Sequence, residues 1–190
     1  MAPRRTFPPE LLVRAQGPGA GIRAAIFDVD GVLTDGGIYV GPEGESLKVF
    51  NVQDGQGLKL LIKGGIVPIV ITGRDSAAVR RRVTDLGLPH ASFGVEDKLA
   101  VASDWLARLG VGWDELAVIG DDWPDLPLFE RAGFACAPPD AHVEARARVH
   151  HVTQAAGGRG AAREFCDLLL MAAGRYATLL ESVLTTLDAR

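Results

Sequence analysis

Asp28 and Asp30 stand one residue apart in Phe27-Asp28-Val29-Asp30-Gly31-Val32-Leu33-Thr34-Asp35, directly after the apolar run Ile22 to Phe27. That run reads as a short buried strand. If it stays extended through Asp30, both carboxylates point to one side, and Gly31 lets the chain turn away sharply. Like charges this close repel, so they require a cation or a shared proton. Magnesium meets the requirement and also attracts phosphate. One carboxylate can then attack phosphorus while the other handles the leaving group's proton. Two plainer readings compete. A calcium loop also begins Asp-x-Asp, but it needs glycine at its sixth position, where this chain has Leu33. An Asx-rich turn would use the same residues for structure alone.

Three later segments carry compatible chemistry. In Ile69-Val70-Ile71-Thr72-Gly73-Arg74-Asp75-Ser76, a hydroxyl and exposed amides at a strand end can cradle phosphate; helix capping is the simpler use of the same residues. In Gly94-Val95-Glu96-Asp97-Lys98, a lysine opens a helix against the macrodipole, so it calls for an anion unless it is merely solvated. Gly120-Asp121-Asp122-Trp123-Pro124-Asp125 places three carboxylates after another apolar run. A helix cap explains one of them but hardly all three. Together with Asp28 and Asp30, they point to a metal site.

The elements that must position these residues alternate. Hairpin strands are predicted over Ile38–Val40 and Ser46–Phe50, a helix over Gln56–Lys63, and a central strand over Ile66–Ile71 despite Pro68. A helix capped by Asp75 or Ser76 runs to Leu86, with Gly87 as its stop. A strand at Ala91–Phe93, a helix over Lys98–Leu109, a strand at Leu116–Ile119, a short helix at Leu126–Arg131 and a strand at Phe134–Cys136 follow. From Ala161 the tail is helical, with a break at Gly174. Such alternation predicts an α/β fold: a three-layer, Rossmann-like parallel sheet whose ligands collect beyond the strands' carboxyl ends. The β-hairpin is an insertion after the first strand. Between Asp28 and Thr72, and again between Thr72 and Asp121, no length remains for a cap domain. Residues 1–21 form a proline-rich leader with one helical turn near Glu10–Arg14, residues 22–174 the core domain, and residues 175–190 a helical extension.

With 190 residues, 47% hydrophobic and 23% charged, the chain fits one globular domain. A net charge of -4 argues against nucleic acid and anionic membranes as partners. Cys136 and Cys166 share no ligand-like spacing and read as reduced core residues. No apolar run reaches spanning length and the first residues lack a secretory stretch, so the cytoplasm is expected.

In this order, the four segments resemble the haloacid dehalogenase-like phosphatase superfamily, over nearly all of the chain from Ile22. The resemblance implies that Asp28 is the nucleophile that becomes an aspartyl phosphate. Asp30 would protonate the leaving sugar oxygen and then deprotonate the attacking water. Thr72 and Lys98 would hold the phosphoryl group. Magnesium would be bound by the Asp28 carboxylate, the Asp30 backbone carbonyl and Asp121, supported by Asp122 and Asp125. The capless plan, the hairpin and Gly120–Pro127 further resemble the group acting on 3-deoxy-D-manno-octulosonate 8-phosphate, a step of lipopolysaccharide biosynthesis. That group forms homotetramers in which one subunit's hairpin covers a neighbour's site.

Gly157-Gly158-Arg159-Gly160-Ala161-Ala162-Arg163-Glu164 is similar to the group's mobile tail, with Arg159 as a substrate contact; a flexible linker is the alternative. A sister group acting on a nine-carbon keto-sugar acid 9-phosphate carries glutamate after Thr-Gly. Here Arg74 follows Thr72-Gly73, and its guanidinium can fork onto a sugar carboxylate. Of Arg80, Arg81 and Arg82, at least one is expected to be solvated or structural. The same chemistry on another sugar phosphate, or a non-catalytic oligomerisation module, remain the alternatives. A receiver-type signalling domain fits poorly, because its acceptor aspartate follows a middle strand.

Overall fold

The structure, a computed structural model, describes residues 3–19 and 21–188. Residues 1, 2 and 20 of the leader and 189 and 190 of the extension lie outside the described residues. Along the chain, α1 (Pro9–Arg14) precedes β1 (Ala24–Phe27), the hairpin strands β2 (Tyr39–Gly41) and β3 (Gly44–Leu47), and α2 (Val52–Lys63). Next come β4 (Val67–Ile71), α3 (Ala77–Leu86), β5 (His90–Ser92), α4 (Lys98–Leu109), β6 (Leu116–Ile119), α5 (Leu126–Phe129) and β7 (Phe134–Ala137). The chain continues through α6 (Val143–Arg146), β8 (His151–Val152), α7 (Ala161–Ala172) and α8 (Tyr176–Asp188).

Six strands form one parallel sheet in the order β5-β4-β1-β6-β7-β8. The chain fills one side of β1 first, then returns to fill the other. The order therefore reverses between β1 and β6, which opens a crevice at their carboxyl ends. Period-two alternation sorts the strand residues between two cores. Ala25, Phe27, Val70 and Ile119 pack with Leu58, Leu61, Phe165 and Leu169 of α2 and α7. Ala24, Ile26, Ile69 and Val118 pack with Ala102, Leu106 and Leu128 of α4 and α5. Because both faces are covered, these strands are apolar throughout.

Pro68 is tolerated for a local reason. Val67 donates to Arg23 on the β1 side, so Pro68 faces the opposite neighbour, where pairing with β5 begins only at Ile69. Ser76 and Asp97 cap α3 and α4 as their types require, and Gly87 and Gly110 end these helices in left-handed conformations.

Most strands and helices shift by one to three residues from expectation, and two elements differ more. Helix α2 begins at Val52, capped by Asn51, earlier than the predicted Gln56. Gly55 falls outside the predicted helix, yet it and Gly57 both lie within α2, where neighbours crowd them. A Cβ on Gly57 would sit 3.1 Å from Cys166 Sγ and 3.2 Å from Arg163 Cα. The hairpin is shorter than predicted, with β3 ending at Leu47. Helix α6 and strand β8 carry too few residues to show a period.

The leader packs on the body: Phe7, Leu11 and Leu12 lie against the α2–α7 core, and Arg5 pairs with Glu164 and Asp167. Both cysteines are buried and free. Among the described residues, no single helix is long and apolar enough to cross a membrane. Gly57→Leu is expected to wedge α2 from α7 and cost about 1–3 kcal/mol. Thermal unfolding should show a fall of several degrees; an unchanged midpoint would mean that the helices do not need this close approach.

Candidate active site

Every strand that supplies a site residue ends at the same crevice. Asp28 follows β1 directly and donates its amide to the Ile119 carbonyl of β6. Thr72 follows β4, Gly120 and Asp121 follow β6, and Lys98 opens α4. The buried Lys98 ammonium lies 3.0 Å from Asp28 Oδ1 and 2.7 Å from Asp125 Oδ1. The other Asp125 oxygen accepts from the amides of Asp121 and Asp122, at 3.0 and 3.3 Å. Asp125 thus spends both oxygens on positioning. Gly120 makes room for it, since a Cβ there would lie 2.3 Å from Asp125 Cγ. Asp122 contributes its amide; its side chain is exposed.

Carboxylate oxygens of Asp28, Asp121 and Asp125 all lie within 4.8 Å of one another. Burial, followed by the Asp125 charge, raises the Asp28 pKa to about 6 although Lys98 opposes the shift. Burial and the neighbouring charges of Asp28 and Asp125 raise Asp121 to about 8. Burial disfavours the Lys98 ammonium, but Asp28 and Asp125 outweigh it and raise its pKa. Three carboxylates against one ammonium leave an excess of negative charge. A hard divalent cation with oxygen ligands suits that excess and this donor set. Gly31 fits the same purpose: a Cβ there would stand 2.1 Å from Asp121 Oδ2. Magnesium therefore fits between Asp28 and Asp121.

Asp30 departs from the extended geometry predicted for it. Strand β1 ends at Phe27, and the chain curls so that the amides of Val32, Leu33 and Thr34 all donate to the Val29 carbonyl. Gly31 takes a positive φ of 83° in this curl. The Asp30 carboxylate is therefore placed by the turn and not by strand alternation. Its Oδ1 accepts from Lys48 Nζ. Lys48 also lies 3.5 Å from Glu45 Oε2, and that oxygen takes Arg74 Nη2 at 2.9 Å. Arg74 Nε stands 3.8 Å from Asp30 Oδ2. Sequence reasoning gives no notice of Lys48 or Glu45. Strand alternation groups Lys48 with Ser46 on a polar face, whereas here the lysine is buried and Leu47 and Val49 are exposed.

The remaining predicted residues surround this centre. Thr72 is buried, and its hydroxyl accepts from the Arg74 amide at 3.3 Å. Gly73 lies in the loop between them. Arg159 is exposed, with Nη2 3.6 Å from Asp35 Oδ2. The segment around it is docked: Gly158 donates to the Val32 carbonyl, and a Cβ on Gly157 would lie 2.0 Å from the Gly31 carbonyl oxygen. Arg80 pairs with Asp75 over the Phe93 ring, Arg81 pairs with Asp85 on the surface, and Arg82 reaches the Asn51 carbonyl.

Residues 94–165 match the haloacid dehalogenase-like hydrolase family. The chain is 46% identical over 154 residues to the 3-deoxy-D-manno-octulosonate 8-phosphate phosphatase of Escherichia coli strain K12, covering 81% of this chain and 82% of that protein. The chain belongs to the haloacid dehalogenase-like hydrolases. The enzyme of the same name from Moraxella catarrhalis, solved with a magnesium ion, a phosphate ion and a KDO molecule, superposes with a TM-score of 0.85. It shares 38% identity, covering 92% of this chain and 98% of that one. The cobalt-bound phosphatase from Haemophilus influenzae gives a TM-score of 0.80 at 39% identity, covering 87% and 93%. Among the described residues no cap domain is present, as the spacing predicts.

The raised pKa values set a pH dependence. Asp28 and Asp121 hold protons in the metal-free folded state that the unfolded chain releases near 3.8. Stability without metal should therefore fall as pH rises from about 4 through 6 and on to 8. Magnesium favours the charged carboxylates, so its stabilisation should grow over the same interval. Denaturant midpoints measured with chelator or magnesium at pH 5 and pH 8 check this; an equal magnesium effect at both would contradict it.

Proposed function

We propose that this chain is a magnesium-dependent phosphatase that removes the phosphate of 3-deoxy-D-manno-octulosonate 8-phosphate through an aspartyl phosphate on Asp28. The observation that carries this reading is the Lys98 ammonium bridging Asp28 and Asp125 beside Asp121, at the carboxyl ends of β1 and β6. Phosphoryl transfer needs alignment and charge neutralisation more than elaborate covalent chemistry. Lys98 and Thr72 hold the phosphoryl oxygens while Asp28 attacks phosphorus. Asp30 gives its proton to the departing sugar oxygen, then takes one from the water that cleaves the acyl phosphate. The Asp28 and Asp121 carboxylates and the Asp30 carbonyl would hold magnesium, which would supply the positive charge that lets anionic phosphate approach anionic aspartate.

Substrate choice rests on Arg74, with Arg159, which lies beside Asp35, as a second contact. Glu45 occupies the Arg74 guanidinium in the free protein, and its half-exposed position leaves it open to a competing sugar carboxylate. A bidentate grip of that kind favours a sugar acid over a neutral sugar. The name of the Escherichia coli relative supports the eight-carbon acid.

A homotetramer completes the reading. Val40, Val49 and Val52 are 73%, 53% and 81% exposed around the hairpin, a cluster of apolar surface suited to burial against another copy. A neighbour placed there would shield the acyl phosphate, which no cap covers here. The cytoplasm is the proposed location.

Asp28→Asn should keep the fold and lose magnesium-dependent hydrolysis by about three decades or more. Measured over a panel of phosphorylated keto-sugar acids, the wild-type kcat/KM should be highest for the octulosonate ester. Substantial turnover by Asp28→Asn, or no preference within the panel, would remove the nucleophile and the substrate assignment respectively.

A further inference from the structure

Lys48 is a buried lysine that the proposed reaction leaves without a task. Its side chain is wholly enclosed, and its ammonium reaches Asp30 Oδ1 and Glu45 Oε2. It lies just past β3, so the hairpin delivers it to the curl that follows β1. A charge with no access to water is costly unless it is paired. Surface attachment of a hairpin would not require one, because apolar packing could serve. The pairing also divides the Asp30 carboxylate into two unlike oxygens. Oδ1 is occupied by Lys48, whereas Oδ2 is buried without a hydrogen-bond partner, with the Arg74 Nε 3.8 Å away as its charged neighbour. A buried acceptor without a partner calls for a donor that arrives later.

We propose that Lys48 is the positioning residue for general acid–base catalysis, fixing Asp30 so that Oδ2 alone carries the transferred proton. This rests on the proposed role of Asp30 and adds the group and the atom that perform it. In the first step the Asp28 carboxylate forms a bond to phosphorus as the phosphorus–sugar oxygen bond breaks. The Asp30 Oδ2 proton passes to the departing oxygen, giving a neutral sugar hydroxyl and an Asp30 carboxylate. The ammonium on Oδ1 compensates the negative charge that appears. In the second step water attacks phosphorus, its proton returns to Oδ2, and Asp28 leaves as a carboxylate with inorganic phosphate. Charge and protons balance over the two steps. Glu45 holds the other side of the ammonium and also grips Arg74, so the acid–base group and the proposed carboxylate-binding arginine share one support.

The test compares leaving groups. In single turnovers with enzyme in excess, release of the leaving group reports the first step alone. The sugar phosphate needs a proton for its alkoxide, whereas 4-nitrophenolate departs without one. Lys48→Met is expected to slow release from 3-deoxy-D-manno-octulosonate 8-phosphate about 100-fold and release from 4-nitrophenyl phosphate only a few-fold. Lys48→Arg should restore much of the lost rate, and Lys48→Gln carries the same comparison should Lys48→Met fail to fold. Equal slowing of both substrates would overturn the proposal, since a lysine that only anchors the hairpin would disturb both alike. Asp30→Asn is the control. Selective loss there with uniform loss in the lysine variants removes Lys48 and leaves Asp30 in place. Uniform loss in Asp30→Asn removes the acid–base role itself.

Discussion

The Lys98 ammonium, enclosed between Asp28 and Asp125, is the contact around which this molecule is arranged. Three carboxylates crowd the same few ångströms, and burial makes their charge expensive, as the raised pKa values of Asp28 and Asp121 record. One lysine offsets part of that cost. The remainder is what makes the crevice a place for a divalent cation and, beside it, a phosphate.

The fold supplies what holds these charges together. Parallel strands β1, β4 and β6 end level with one another, with Phe27 opposite Val70 and Ile119. Residues just past each end therefore meet without long loops. Glycines at 31, 120 and 157 then let backbone and carboxylates approach more closely than any side chain would allow. Asp54 does similar work at a distance: from α2 it accepts from the amides of Gly160 and Arg163, fixing the start of α7 behind the docked 157–160 segment. That segment packs against the curl after β1, where Gly158 donates to the Val32 carbonyl.

Much of this was legible in the residues. Apolar runs closed by Asp28, Thr72 and Gly120-Asp121 name the strand ends, and Ser76 and Gly87 mark helix limits that the structure keeps. Lys98 at a helix start announced its need for an anion, and two lie beside it. What was not legible depends on tertiary crowding. The start of α2 at Val52, four residues before the predicted Gln56, depends on packing: Gly55 lies against Arg82 and Leu86, and Gly57 against Arg163 and Cys166. Asp30 looks like the next outward residue of a strand until the curl around Val29 is seen. Lys48 is hidden most thoroughly, because local alternation puts charge outside and apolar residues inside, and the hairpin inverts both.

Covalent capture of the phosphoryl group tests the central claim most directly. Substrate labelled in its phosphate, mixed with magnesium-loaded protein and quenched in acid within milliseconds, should leave label on the peptide that contains Asp28. The label should vanish when a chelator replaces magnesium. Label recovered on another residue, or hydrolysis proceeding with no labelled protein at any quench time, would contradict the account.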